Sequence, residues 1–201
     1  MHALIVTAHP HPDSLTHSIA AGVARGITES GPHRAEIANL AQEGFRPEFT
    51  REDFAAFNAA GALPEDVRAE QTRIDSADAL VLVFPVYWWS MPALMKGWID
   101  RVFSAGWAYE ETADGRLIKK LRHLPVHLVA IGAANMKTWE KHRYQEAMKV
   151  QIEEGIFNYC GAPVMSSSLL LSPEYPDTNV MLQDAHRLGQ KTFNTQQPVA
   201  V

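Results

Sequence analysis

Ala79-Leu80-Val81-Leu82-Val83-Phe84, running into Pro85-Val86-Tyr87-Trp88-Trp89-Ser90-Met91-Pro92, is the stretch of this 201-residue chain that decides its architecture. Its first part is apolar without a break. A strand buried on one face alternates, whereas a strand buried on both faces does not, so this run predicts a central strand of a parallel sheet. Ser90 and Pro92 then open a helix whose apolar side is Leu94, Met95, Trp98, Ile99, Val102 and Phe103. Those positions recur at helical spacing.

The same alternation extends in both directions. Residues 3–7 read as a buried strand. His9-Pro10-His11-Pro12-Asp13-Ser14 follows, where the prolines forbid a helix and Asp13 or Ser14 can cap the next one. Leu15, Ile19, Gly22, Val23 and Gly26 mark that helix, and Gly31-Pro32 stops it. A second strand fits residues 35–40. Residues 41–63 form a long excursion with a short helix near 51–58. A helix fits 64–75, with Pro64 in its first turn. Beyond the aromatic stretch, a fourth strand fits 126–131 and a long helix fits 139–159, ended by Gly161 and Pro163. A last strand fits 164–171, a last helix 177–195, and 196–201 read as a loose tail.

Strand and helix alternate throughout. The fold class expected is α/β, one domain over residues 1–201, with a three-layer, doubly wound, five-stranded parallel sheet. In such sheets a ligand sits beyond the carboxyl ends of the strands, where strand order reverses. Functional residues are therefore expected just after strands one, three and four.

Composition narrows the function. The net charge is −5 and no long basic run occurs, so no nucleic-acid partner is expected. No apolar stretch reaches the ~20 residues a bilayer span requires. The N-terminus does not read as a signal peptide. Cys160 is the only cysteine, which excludes an internal disulfide and makes the cytoplasm the simplest location. His9, His11 and His17 match no standard zinc spacing, so no metal is expected.

Three loops carry candidate chemistry. After strand one, the free N–H groups of a helix start favour an anion. Ser14 and Thr16 add hydroxyls and His9 adds a donor. An ordinary capped helix start gives the same residues, and neither G-x-G-x-x-G nor a Walker loop is present. After strand three, Tyr87, Trp88 and Trp89 cannot all enter one core from one element, so at least one faces a cleft, where it can stack on a flat conjugated ligand. After strand four, Gly132-Ala133-Ala134-Asn135-Met136-Lys137 would let backbone approach a ligand closely. His142 and Tyr144 follow, and both can give or take protons. A solvated histidine on a helix end is the alternative. Cys160, beside Gly161, reads as a small core residue.

The run from Phe84 to Phe103 resembles the Phe-Pro-x-x-Trp, Pro-Ala-x-x-Lys-Gly-Trp and Arg-Val-Phe motifs of the NAD(P)H:quinone oxidoreductases in the flavodoxin-like superfamily. It is also similar to the quinone-reductase-like subunits that regulate bacterial potassium efflux. Ala69-Glu70-Gln71 and the stretch from Gly155 to Gly161 look like family positions too. The resemblance implies strand order 2-1-3-4-5. It implies that His9, Ser14, Leu15 and Thr16 line a flavin phosphate site, that Pro85, Val86, Tyr87, Trp88 and Trp89 wrap the ribityl chain and ring, and that Gly132 and Ala133 approach the ring's far side. Trp107 and Tyr109 look like residues that reach a neighbouring subunit of a homodimer.

The implied cofactor is FAD, with FMN as the alternative. NAD(P)H would be the electron donor and a quinone or similar flat molecule the acceptor. His142 aligns with a family histidine near the flavin, and Tyr144 substitutes for a tyrosine the family carries upstream. Thr16 stands where asparagine is frequent and Tyr87 where glutamine is usual, and the loop after strand four lacks the Thr-Thr-Gly-Gly run. A flavin-binding regulatory subunit of a transporter, and a nitro, azo or flavin reductase, are the competing readings.

Overall fold

A computed structural model describes residues 1–194, so the loose tail lies outside the described residues. The first half runs β1 (His2–Thr7), α1 (Leu15–Glu29), β2 (Arg34–Asn39), α2 (Arg51–Phe57), α3 (Glu65–Asp75), β3 (Ala79–Pro85) and α4 (Ala93–Val102). The second half runs β4 (Tyr109–Glu111), β5 (Leu117–Lys119), β6 (Val126–Gly132), α5 (Met136–His142), α6 (Tyr144–Met148), a π-helical stretch (Lys149–Asn158), β7 (Val164–Leu171), a 3₁₀ turn (Ser172–Glu174) and α7 (Thr178–Lys191).

The main sheet has five strands in the order β2-β1-β3-β6-β7, every neighbouring pair parallel. This is the 2-1-3-4-5 pattern expected, with an added hairpin that shifts the numbering. Side chains of β3 alternate between two cores. Leu80, Leu82 and Phe84 join Trp98, Val102 and Phe157 on one face. Val81 and Val83 join Ile19, Val23, Met181 and Ala185 on the other. The unbroken apolar run of β3 therefore follows from helices covering both faces.

Two expectations need correction. The helix placed at 139–159 starts earlier, at Met136, and is interrupted. Arg143 adopts φ 57°, a left-handed conformation that ends α5, and its side chain is held by Glu146 at 2.7 Å. The chain then resumes as α6 and unwinds into the π stretch, whose buried residues Ile152 and Phe157 lie five apart. The antiparallel pair β4–β5 was not expected at all. The excursion, by contrast, carries the expected short helix, α2. Its helix start is closed by a reciprocal pair between Thr50 and Asp53.

Among the described residues no helix is long and apolar enough to cross a membrane. Nor does any group of three or more His, Cys, Asp or Glu side chains stand ready for a metal ion. Cys160 is buried, and burial pushes its thiol up to about 11, so it stays protonated.

His127 gives the fold a pH dependence. It lies within β6, 4% exposed, with Nδ1 2.8 Å from Ser166 Oγ. Burial disfavours its charged form and lowers its pKa to about 4. An unfolded histidine titrates near ~6.5. Between these values the unfolded chain holds more proton than the folded chain, so stability falls as pH drops. The expected slope from this residue approaches ~1.4 kcal/mol per pH unit over that window and vanishes above it. Urea titrations of wild type and His127→Asn at pH 7 and pH 5 check this. Equal losses in both proteins would clear His127 as the cause.

Candidate functional site

β1, β3 and β6 are adjacent, so their carboxyl ends at Thr7, Pro85 and Gly132 lie side by side. The chain leaves β1 for β2 on one side and β3 on the other, which puts the reversal of strand order here.

The turn after β1 is organised by histidines. The His11 N–H donates to His9 Nδ1 at 3.1 Å, which leaves the proton of neutral His9 on Nε2, free to donate. The Asp13 N–H donates in the same way to His11 Nδ1 at 3.2 Å. Ser14 caps α1, its Oγ accepting from the His17 N–H at 3.3 Å. His17 Nδ1 in turn donates to His11 O at 3.0 Å. No acidic residue occupies the first turn of α1, so the positive end of the helix is not neutralised from within. Leu15 is half-buried and Thr16 buried, which leaves their backbone N–H groups, rather than their side chains, as the groups they could offer at the helix start.

The turn after β3 is unusual. Tyr87 and Ser90 exchange both backbone hydrogen bonds, at 3.0 and 3.1 Å. The two residues between them, Trp88 at φ 49° and Trp89 at φ 65°, are both left-handed. Such a turn usually carries Asn-Gly, and a side chain at each position costs ~1–2 kcal/mol. Tertiary contacts hold it. The Val86 N–H donates to Ile131 O at 2.8 Å. The Ser90 hydroxyl donates to Gln151 Oε1 at 2.5 Å. Trp89 stacks on Tyr144 with ring centroids 3.7 Å apart and stands perpendicular to Trp139 at 5.4 Å. Trp88 is left 93% exposed.

Val86, Trp88, Trp89, Gly132, Ala133, Ala134 and Trp139 enclose an almost wholly apolar slot of about 230 Å³. A Cβ on Gly132 would lie 2.6 Å from Leu171 Cδ2, so a larger residue there would push on the neighbouring strand β7. Ala133 is exposed on the rim. His142 stacks on the outer side of Tyr144, ring centroids 5.2 Å apart. His142, Tyr144 and Trp89 thus form a continuous aromatic pile beside the slot. Pro85 sits at the end of β3, and Tyr87 is half-exposed on the turn.

Trp107 and Tyr109 are not part of this slot. The Trp107 indole donates to Asp75 at 3.0 Å, at the end of α3, which leads into the opposite end of β3. Tyr109 packs on Tyr159 and lines a separate cavity of about 150 Å³ with Phe49, Phe57 and Arg101.

Two residues of the region were not assigned to it from the sequence, where His17 was weighed only as a metal ligand. His17 and Trp139 each bring a buried nitrogen, His17 Nε2 and Trp139 Nε1, without a hydrogen-bond partner, and Thr7 at the end of β1 adds an unpartnered hydroxyl. Trp139 reads in the sequence as an apolar helix residue. Only its place one turn into the helix after strand four could have flagged it. Together the edge offers donors for an anionic group, an apolar aromatic slot for a flat ring, and unpartnered polar atoms.

A protein-family profile described as flavodoxin-like fold matches residues 1–191. A protein of Haemophilus influenzae named an uncharacterized NAD(P)H oxidoreductase is 30% identical over 162 residues, covering 80% of this chain and 79% of its own. The solved NAD(P)H:quinone oxidoreductase from Methanothermobacter marburgensis superposes with a TM-score of 0.83 at 26% identity, covering 94% of this chain and 98% of that one. An FMN-dependent NADH-azoreductase from Bacillus anthracis, solved with FMN, shares the fold at a TM-score of 0.68 and 16% identity, covering 94% and 96%.

Proposed function

This chain belongs to the flavodoxin-like family, and from that membership we propose that it is a flavin-dependent NAD(P)H oxidoreductase that passes hydride from a nicotinamide donor to a quinone or similar flat acceptor. One observation carries the reading. A helix start free of acidic residues and an apolar aromatic slot open at the same edge, where the strand order reverses.

A flavin needs donors for its phosphate, apolar walls for its ring faces and polar partners for its ring edge, and the residues present fit all three. In this reading His9, Ser14 and the N–H groups of Leu15 and Thr16 hold the phosphate. Pro85, Val86, Tyr87, Trp88 and Trp89 hold the ribityl chain and one side of the ring, and Gly132 and Ala133 hold the other. Bound flavin supplies the acceptance and return of hydride. The chain's own residues do the rest. The slot's apolar walls would keep water from the ring face they cover and leave the open side to successive flat substrates. His142 and Tyr144 do not line the slot; stacked on its Trp89 wall, they would supply or take protons at its margin as charge changes. Trp107 and Tyr109 would act only across a homodimer. Exposed Phe49, Phe54 and Phe57 on the excursion give such an assembly apolar surface.

FAD is the flavin the sequence resemblance implies. We take FMN as the resident flavin instead, the one held by the azoreductase of the same fold, and keep FAD as the other outcome of the test. Purified protein is expected to be yellow, to release FMN on denaturation as identified by mass, and to oxidise NAD(P)H only when benzoquinone is supplied. Colourless protein that stays apo after incubation with FMN and with FAD would falsify the reading. A screen of quinones, azo dyes and nitroaromatics then fixes the acceptor class. Negligible turnover with all of them, alongside a retained flavin, would favour the regulatory alternative.

A further inference from the structure

Trp139 is 1% exposed, and its indole Nε1 has no hydrogen-bond partner among the described residues. Other buried polar atoms in the same condition are Thr7 Oγ1, His17 Nε2 and His127 Nε2. They differ in kind. A hydroxyl can rotate, and a neutral imidazole can leave one nitrogen unprotonated, as an acceptor. An indole nitrogen always carries its proton and can only donate. Leaving it unmet costs ~1–3 kcal/mol. Elsewhere the chain avoids that cost. The Trp98 indole donates to Glu70 at 2.7 Å, and the Trp107 indole donates to Asp75 at 3.0 Å. Trp88, Trp89 and Trp139 all line the slot, and of these Trp139 is the one whose indole nitrogen is buried without a partner. Its Nε1 edge lies against Gly132, where a Cβ would sit 3.5 Å from Cζ2 and 3.7 Å from Nε1.

We propose that Trp139 is a further cofactor-binding residue, donating its indole N–H to an acceptor atom on the polar edge of the bound flavin ring. The inference rests on the flavin reading above. A donor at that edge does more than anchor the ring. The ring gains electron density on reduction, so the hydrogen bond is stronger to the reduced form, and the donor raises the reduction potential. The competing partner is the face of Trp89, which stands at 83° to Trp139 with centroids 5.4 Å apart. An N–H directed there would be part of the packing and indifferent to flavin.

Trp139→Phe keeps an aromatic ring and removes the donor. FMN titrations followed by flavin fluorescence are expected to show about tenfold weaker binding, the scale of one hydrogen bond to a buried donor. The reduction potential of the bound flavin is expected to fall. Trp139→His, which restores a ring N–H, should recover part of both. In the wild-type protein the Trp139 indole proton resonance should move on adding FMN and exchange more slowly with water. That measurement holds even if the variants fold poorly. Wild-type affinity and potential in Trp139→Phe, or an indole resonance that does not respond to FMN, would overturn the proposal. So would a loss of apo stability alone, which assigns the N–H to Trp89. Failure of the wild-type protein to take up any flavin is a different result and overturns the flavin reading itself.

Discussion

Arg101→Ala is expected to destabilise the protein by about 3–5 kcal/mol, the cost of leaving a buried charge unpaired. Arg101 is 4% exposed, and its guanidinium gathers two partners from the excursion and one from the start of α3. Nε donates to both oxygens of Asp53, at 3.1 and 3.0 Å. Nη1 and Nη2 take the two oxygens of Asp66 at 2.6 and 3.0 Å, and Nη1 also reaches Arg46 O at 2.8 Å. Asp53 is 5% exposed and would lose its counterion. Gly97, one turn earlier on α4, lies so close to the excursion that a Cβ there would meet Pro47 O at 2.3 Å. Arginine and glycine together seat residues 44–66 on α4.

For a chain of this size the loss corresponds to a fall in Tm of roughly 10 °C. Differential scanning calorimetry measures it, and limited proteolysis should cut first between α2 and α3. Arg101→Met combined with Asp53→Leu removes both charges and should recover much of the loss. A single variant within about 1 kcal/mol of wild type would mean that the excursion is held by packing alone.

Trp89→Ala is expected to weaken flavin binding by about 10- to 100-fold, since one aromatic wall against a flat heterocycle is worth ~1–3 kcal/mol. The alanine also loses the stack on Tyr144, which leaves His142 and Tyr144 without their backing. Trp88 separates strain from binding. It packs on little, being 93% exposed, yet it holds φ 49°. Asparagine tolerates that conformation, so Trp88→Asn should raise the melting stability of the flavin-free protein by about 1 kcal/mol while lowering its flavin affinity. Opposite signs on stability and affinity would mark the turn as strained for a ligand. Isothermal titration with FMN and thermal melts of the apo proteins give the two numbers. Unchanged affinity in both variants would take the turn out of the flavin site.

The elements that carry the fold were legible because their information is local. The apolar run of β3 and the helical spacing of Leu94, Trp98 and Val102 report burial directly, and the observed elements cover those positions. Ser14, read as a candidate cap, does cap α1. The β4–β5 hairpin escaped because its strands are three residues each, too short to show a period. The Asp114-Gly115 pair between them was the available turn signal. The break at Arg143 left no such mark, since arginine is a good helix former and its left-handed φ is imposed by surroundings.

The aromatic turn shows the same division within the site. By itself the sequence determined that Tyr87, Trp88 and Trp89 follow a doubly buried strand, because burial is written in periodicity. It placed His9 and Ser14 at a helix start for the same reason. The strand order that makes the turn a switch point was implied by the family resemblance and is seen in the sheet. Only the tertiary structure decided that Trp88 and Trp89 are both left-handed, that Trp89 is backed by Tyr144, and that Trp139 closes the slot with an unpaired N–H. A backbone angle held against its own preference, and a donor left without a partner, are properties of distant residues brought together. They arise only when β3, β6 and the helix after β6 converge on one edge of the sheet.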